Sequence, residues 1–175
     1  MKKRSNNTLE TLVCLGVLTA LQVVLSRFLS VQLWNLKFGF SFVPVMLAAH
    51  LYGPLGAAAV YGAGDLIGAL LFPSGTYFPG FTLTAVISGI IWGLLLKEKI
   101  RPIKAVCAVL TVQCGCSFLL NSYWISYISG APYLSQLAVR WPQSLGYAAV
   151  HLVFIFLLLE KLGKLIKKIM KQNCL

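Results

Sequence analysis

Apolar residues in this chain come in long runs, and polar residues are confined to the short intervals between them. A membrane-crossing helix needs about 20 mainly apolar residues at about 1.5 Å rise each. Leu9 to Leu25, Phe81 to Leu96, Ile103 to Ile125 and Ser144 to Leu159 each fit one crossing. The stretch from Phe38 to Phe72 is too long for one. Tyr52-Gly53-Pro54 divides it into a short helix and a longer one, with Pro54 suited to the first turn of the second. No repeat period and no Ser/Gly-rich or Pro-rich linker interrupts the pattern, so residues 1–175 are expected to form a single membrane domain.

Composition supports this reading. The 175 residues are 58% hydrophobic with four acidic side chains, and mean hydropathy is +0.82, far from the values of a water-soluble domain. The net charge of +11 does not point to nucleic acid, because the basic residues sit in short clusters between apolar runs. Basic clusters mark the cytoplasmic side of membrane proteins. Lys2, Lys3 and Arg4, then Lys97, Lys99, Arg101 and Lys104, then Lys161, Lys164, Lys167, Lys168 and Lys171 therefore share that side. An even number of crossings must separate successive clusters, which holds only if the Phe38 to Phe72 stretch is two helices. The expected fold is an all-α integral membrane protein, a bundle of six transmembrane helices with both termini cytoplasmic. The basic start imitates a secretory signal, but Ser26-Arg27-Phe28 follows where a small-residue cleavage site belongs, so the first helix is expected to be retained. The five Cys are an odd number, and Cys14, Cys107, Cys114 and Cys116 lie in apolar runs, which favours buried packing over disulfides.

Candidate chemistry is sparse. H-E-x-x-H, G-x-S-x-G and the phosphate-binding G-x-x-x-x-G-K-[ST] are all missing from the sequence, so neither catalysis nor ATP hydrolysis is expected of this chain. His50 and His151 stand alone and read as structural, and Cys114-Gly115-Cys116 lacks the neighbours of a metal site. Asp65 is different. It is the only Asp, it lies in a Gly/Ala-rich apolar run, and a carboxylate there costs about 2.5–3.5 kcal/mol on insertion scales unless a partner or ligand compensates it. It reads as the floor of a small-molecule site or as a structural hydrogen bond to a neighbouring helix. The topology leaves only Arg27, Lys37 and Arg140 of the 15 basic residues outside, where they act as interfacial anchors or converge on an anion. The loops on that side are rich in aromatics. Trp34 to Phe40, Phe72 to Gly80 and Tyr123 to Trp141 supply either an interfacial belt or stacking faces for a flat heteroaromatic ligand. Gly16 with Ala20, and Gly53 with Ala57, permit close helix contact within this bundle or against another membrane subunit.

Lys37 to Pro44, Tyr52-Gly53-Pro54, Gly64 to Gly68 and Phe72 to Thr82 together resemble the folate-specific substrate-binding (S) components of energy-coupling factor (ECF) transporters. The resemblance spans most of the chain and concentrates in residues 27–93. It implies a six-helix bundle in the bacterial cell membrane that captures folate or reduced folates outside. It also implies partnership with a transmembrane coupling subunit and two cytoplasmic ATPases, and docking through a small-residue motif that maps onto Gly16 and Ala20. Gly16 replaces the usual Ala at the first position. No cofactor or metal is implied. On this footing Asp65 accepts paired hydrogen bonds from the 2-amino-4-oxo edge of a pterin, and Asn121 meets another polar edge. Tyr77, Phe78, Phe72 and Trp124 are ring-stacking walls, and the loop residues Phe38, Gly39 and Pro73 complete the site. Arg27, Lys37 or Arg140 meets the glutamate carboxylates. The rivals are an S component for thiamine or a pyrimidine-like vitamin, and a membrane enzyme acting on lipids.

Overall fold

A computed structural model of the chain describes residues 3–33, 36–73, 77–97 and 102–172, with side chains over 8–30, 39–73, 77–97, 102–142 and 144–157. It is a helical bundle. Helix α1 (Lys3–Arg27) leads into a short antiparallel hairpin, β1 (Ser30–Leu33) with β2 (Leu36–Gly39), in which Val31 faces Phe38 and Gln32 faces Lys37. The hairpin departs from an all-helical plan where a plain loop is expected. Its strands satisfy one another's backbone polar groups, which matters beside an apolar bundle.

Helix α2 (Phe42–Leu71) is two helices joined at a kink. Gly53 adopts φ 72° and ψ −157°, and Pro54 follows it, so the break expected at Tyr52-Gly53-Pro54 is present. Glycine tolerates a positive φ, and proline at the start of the second segment forgoes an N–H that has no helical acceptor there. Helix α3 (Pro79–Leu96) starts on Pro79, again at a first-turn position. Next comes one unbroken helical run. Helix α4 (Pro102–Leu110) passes into a π-helical segment (Thr111–Leu120) and then helix α5 (Asn121–Ser129), which Gly130 closes in the left-handed conformation. Helix α6 (Tyr133–Gln172) completes the bundle.

Thr8–Arg27, Phe42–Leu71, Pro79–Leu96 and Pro102–Ser129 are long and apolar enough to cross a membrane, and Ser144–Leu157 is a shorter apolar stretch within α6. The tightest packing joins the second segment of α2 to α3. A Cβ on Gly93 would collide with the backbone of Pro54, and one on Gly89 would lie 2.7 Å from the Ala57 carbonyl oxygen. With lipid outside the bundle, such backbone contact and dispersion replace hydrophobic drive. The core gathers Phe42, Val45, Met46, Trp92, Leu96, Val109, Val112 and Ile155 from α2, α3, the α4 to α5 run and α6. Of the cysteines expected to be buried, Cys116 is, whereas Cys14, Cys107 and Cys114 are exposed on helix surfaces, and all four are unpaired thiols. Thiols behave as small apolar groups, so these positions are compatible with contact with lipid.

Candidate functional site

Four chain segments end or begin at the hairpin end of the bundle: α1 and α2 finish there, α3 starts, and α5 turns into α6. Between them lies a cavity of about 420 Å³. A space of that size suits a small organic ligand.

Asp65 lines it, one residue after Gly64 on the second segment of α2. Its Oδ2 accepts a 2.9 Å hydrogen bond from the Thr82 hydroxyl on α3. That hydroxyl has a single hydrogen, committed to the carboxylate, so at the 3.2 Å contact Tyr77 donates to Thr82. The carboxylate is thus aimed by α3 and tied to the connection between α2 and α3.

Arg27, at the end of α1, and Arg140, in the first turns of α6, both line the cavity. The Arg27 guanidinium lies where a Cβ on Gly68 would be 2.8 Å from its Nε. Arg140 donates weakly to Ser122 at 3.4 Å. Asn121 lines the wall, and its buried Oδ1 has no hydrogen-bond partner among the described residues. Gly39, Pro73 and Tyr77 complete the part of the wall expected from sequence, and the Gly39 N–H donates to the Tyr147 hydroxyl at 2.9 Å. Two guanidinium groups and one carboxylate around one cavity suit a ligand with an anionic part and a separate donor-bearing edge.

Other expected residues lie elsewhere. Phe72 sits at the surface with its ring edge-on to Phe28, centroids 5.1 Å apart. Phe78 and Trp124 pack together at 5.4 Å, over the face of Gly80 where a Cβ would meet both rings. The Trp124 indole N–H donates to the Thr84 hydroxyl at 3.0 Å. These two brace the wall instead of forming it. The aromatic side chains that line the cavity are Phe42, Tyr61, Tyr77, Phe81 and Tyr147. The side chains of Lys37 and Phe38 fall outside the described ones. Gly16 and Ala20 are exposed on α1, with nothing among the described residues within 4 Å of a Cβ placed on Gly16.

Further polar residues join the site without having been expected there. Gln22 and Ser26 enter from α1, Ser88 from α3, and Gln113 and Ser117 from the π-helical segment. His151 enters from α6, its Nδ1 2.9 Å from the Gln113 amide nitrogen and its ring 3.9 Å from the Phe42 ring, centre to centre. Spacing carries a faint signal: Gln22 with Ser26, and Gln113 with Ser117 and Asn121, are polar residues four apart in otherwise apolar helices. His50 is well removed and bonds the Leu96 carbonyl at 3.1 Å, a structural role.

A family model described as "ECF-type riboflavin transporter, S component" matches residues 6–168. A protein named folate transporter FolT from Clostridium novyi is 29% identical over 148 residues, covering 84% of this chain and 86% of its own. One of the same name from Leuconostoc mesenteroides is 34% identical over 143 residues, covering 81% of this chain and 74% of its own. The fold is similar to a crystal structure of FolT bound with folic acid, with TM-score 0.81 and 30% identity over 87% of this chain and 93% of that one.

Proposed function

The chain belongs to the family of ECF-type transporter S components, and from its similarity to folate transporters within that group we infer that it is the folate-binding S component of an ECF transporter in the bacterial cell membrane. The observation that carries the inference is the cavity, where Asp65, Arg27 and Arg140 converge in a fold that a folate-bound relative shares. Capturing and delivering the vitamin needs binding, not bond chemistry, and the ATP hydrolysis that drives release belongs to separate subunits of the ECF module.

The site divides by chemistry. Asp65 takes the 2-amino and N3–H donors of the pterin, with Thr82 holding the carboxylate in plane. Asn121, whose buried oxygen has no partner among the described residues, meets a further donor, and Tyr77 and Phe81 flank the ring. Arg27 and Arg140, with Lys37 on the hairpin, receive the glutamate carboxylates. Gly16 and Ala20 form the contact with the transmembrane coupling subunit, which works with two ATPases.

The single membrane domain is arranged as six crossings, with α2 supplying two of them on either side of Gly53 and both termini cytoplasmic. A fluorescent reporter fused after Leu175 glows only if folded in the cytoplasm, and a dark, translocated reporter would reject this orientation.

A second reading, a flavin ligand, is favoured by the description of the matching family model. Titration of the detergent-purified protein with folic acid, 5-formyltetrahydrofolate, riboflavin and thiamine, followed by tryptophan fluorescence, separates the two. Saturable binding of the folates without ATP, much tighter than of riboflavin or thiamine, is expected. Tighter riboflavin binding would replace the folate reading with the flavin one.

A further inference from the structure

The amide of Gln22 is not explained by the fold. It is only 2% exposed, it lines the cavity, and its Oε1 has no hydrogen-bond partner among the described residues. Buried polar atoms are nearly always satisfied, so an orphaned acceptor beside a cavity calls for a group that enters from that cavity. The position of the amide is also built. A Cβ on Gly64 would collide with the Gln22 oxygen. The glycine that precedes Asp65 therefore admits the amide, and the amide and the carboxylate reach the same cavity from adjoining positions.

The two groups present different patterns. A carboxylate offers two acceptors, whereas a primary amide offers an acceptor beside a donor. A 2-amino-4-oxopteridine has matching adjacent edges. One hydrogen of its 2-amino group lies beside N3–H, giving two donors in parallel. The other lies beside the N1 lone pair, giving a donor next to an acceptor. A 2,4-dioxopteridine, or the isoalloxazine of a flavin, carries a carbonyl oxygen in place of the 2-amino group. That oxygen would face the Asp65 carboxylate with lone pairs against lone pairs, and the Gln22 oxygen likewise while the amide keeps its oxygen against Gly64.

We propose that Gln22 is a specificity-determining residue that takes the N1 and 2-amino edge of the ring beside Asp65, so that the pair selects 2-amino-4-oxo rings and rejects 2,4-dioxo rings. This rests on the folate reading. It locates the discrimination between folates and flavins, two ligand classes that share a ring skeleton, in the group at ring position 2.

The test uses the full-length protein, as wild type and as Gln22→Met, titrated with folic acid and with its 2-oxo analogue, in which a carbonyl replaces the 2-amino group. Wild type is expected to prefer folic acid. Gln22→Met is expected to lose about 10- to 100-fold in folic acid affinity and to change little towards the analogue, so that the preference shrinks. An equal loss for both ligands, or no loss for either, overturns the proposal, as does a wild type that binds the two alike. If Gln22→Met does not fold, Gln22→Asn keeps the amide but withdraws it by one methylene. Unchanged preference in that variant overturns the proposal equally. A wild type that binds neither folic acid nor the analogue is a separate result, which removes the folate reading itself.

Discussion

Asp65 is held by a donor that belongs to the protein and faces a cavity that does not. The Thr82 hydroxyl contributes one 2.9 Å bond, and a carboxylate has room for several more acceptor contacts. Replacing Asp65 by Asn keeps the shape and exchanges one acceptor for a donor that opposes the pterin's own N–H groups. Folate affinity is expected to fall about 10- to 100-fold in calorimetry, with little change in thermal midpoint. Thr82→Val removes only the aiming bond and should cost a smaller factor, about 3- to 10-fold. Undiminished affinity in Asp65→Asn would take the carboxylate out of the site. Asp65 was legible because a lone acid in an apolar run has few innocent explanations. Gln22, Gln113 and His151 were not, because a single amide or imidazole in a helix does not reveal which face looks inward. Phe78 and Trp124 show the opposite failure: loop aromatics read as stacking walls, but Gly80 lets them close on each other behind the wall.

At the scale of elements, the bundle depends on how closely α2 and α3 approach. Gly93 rests on the backbone of Pro54, immediately after the Gly53 kink, so the turn that splits α2 is also the seat of α3. Gly93→Leu forces the two backbones apart and is expected to destabilise the protein by about 2–4 kcal/mol, seen as a clear drop in thermal midpoint in detergent. Gly146→Leu is the control, since nothing among the described residues lies within 4 Å of a Cβ there. Equal midpoints for the two variants would show that the crossing does not carry the stability assigned to it. The kink was readable because glycine followed by proline in an apolar run has a specific backbone meaning. The π-helical segment was not. Four residues of α-helix overshoot a full turn by about 40°, so a polar series at 113, 117 and 121 would wind away from the cavity. The wider turn of Thr111–Leu120 accommodates that spacing, and Gln113, Ser117 and Asn121 all reach the cavity wall. Such widening comes from tertiary fit, for which no residue in the segment is diagnostic.

For the molecule as a whole, the residues proposed for binding and those proposed for coupling occupy different faces. Helix α1 contributes Gln22, Ser26 and Arg27 to the cavity, yet far fewer of its described residues are buried than in α2 or α3. Leu12, Val13, Val17 and Leu21 are exposed on it, together with Gly16 and Ala20. Lipid tolerates such a surface, so exposure alone does not call for a partner. The small residues add a reason, because Gly16 and Ala20 make a shallow place where another helix can approach closely. Widening both side chains, as Gly16→Leu with Ala20→Leu, fills that place without touching the cavity. The isolated variant should bind folate within about twofold of wild type, because neither residue lines the site, while helix approach is blocked. Uptake of labelled folate by cells that supply the coupling subunit and ATPases should fall at least about tenfold. Normal uptake would show that the coupling subunit docks elsewhere. Lost binding would show that α1 cannot be altered on one face without disturbing the other, and the separation of the two functions would fail with it.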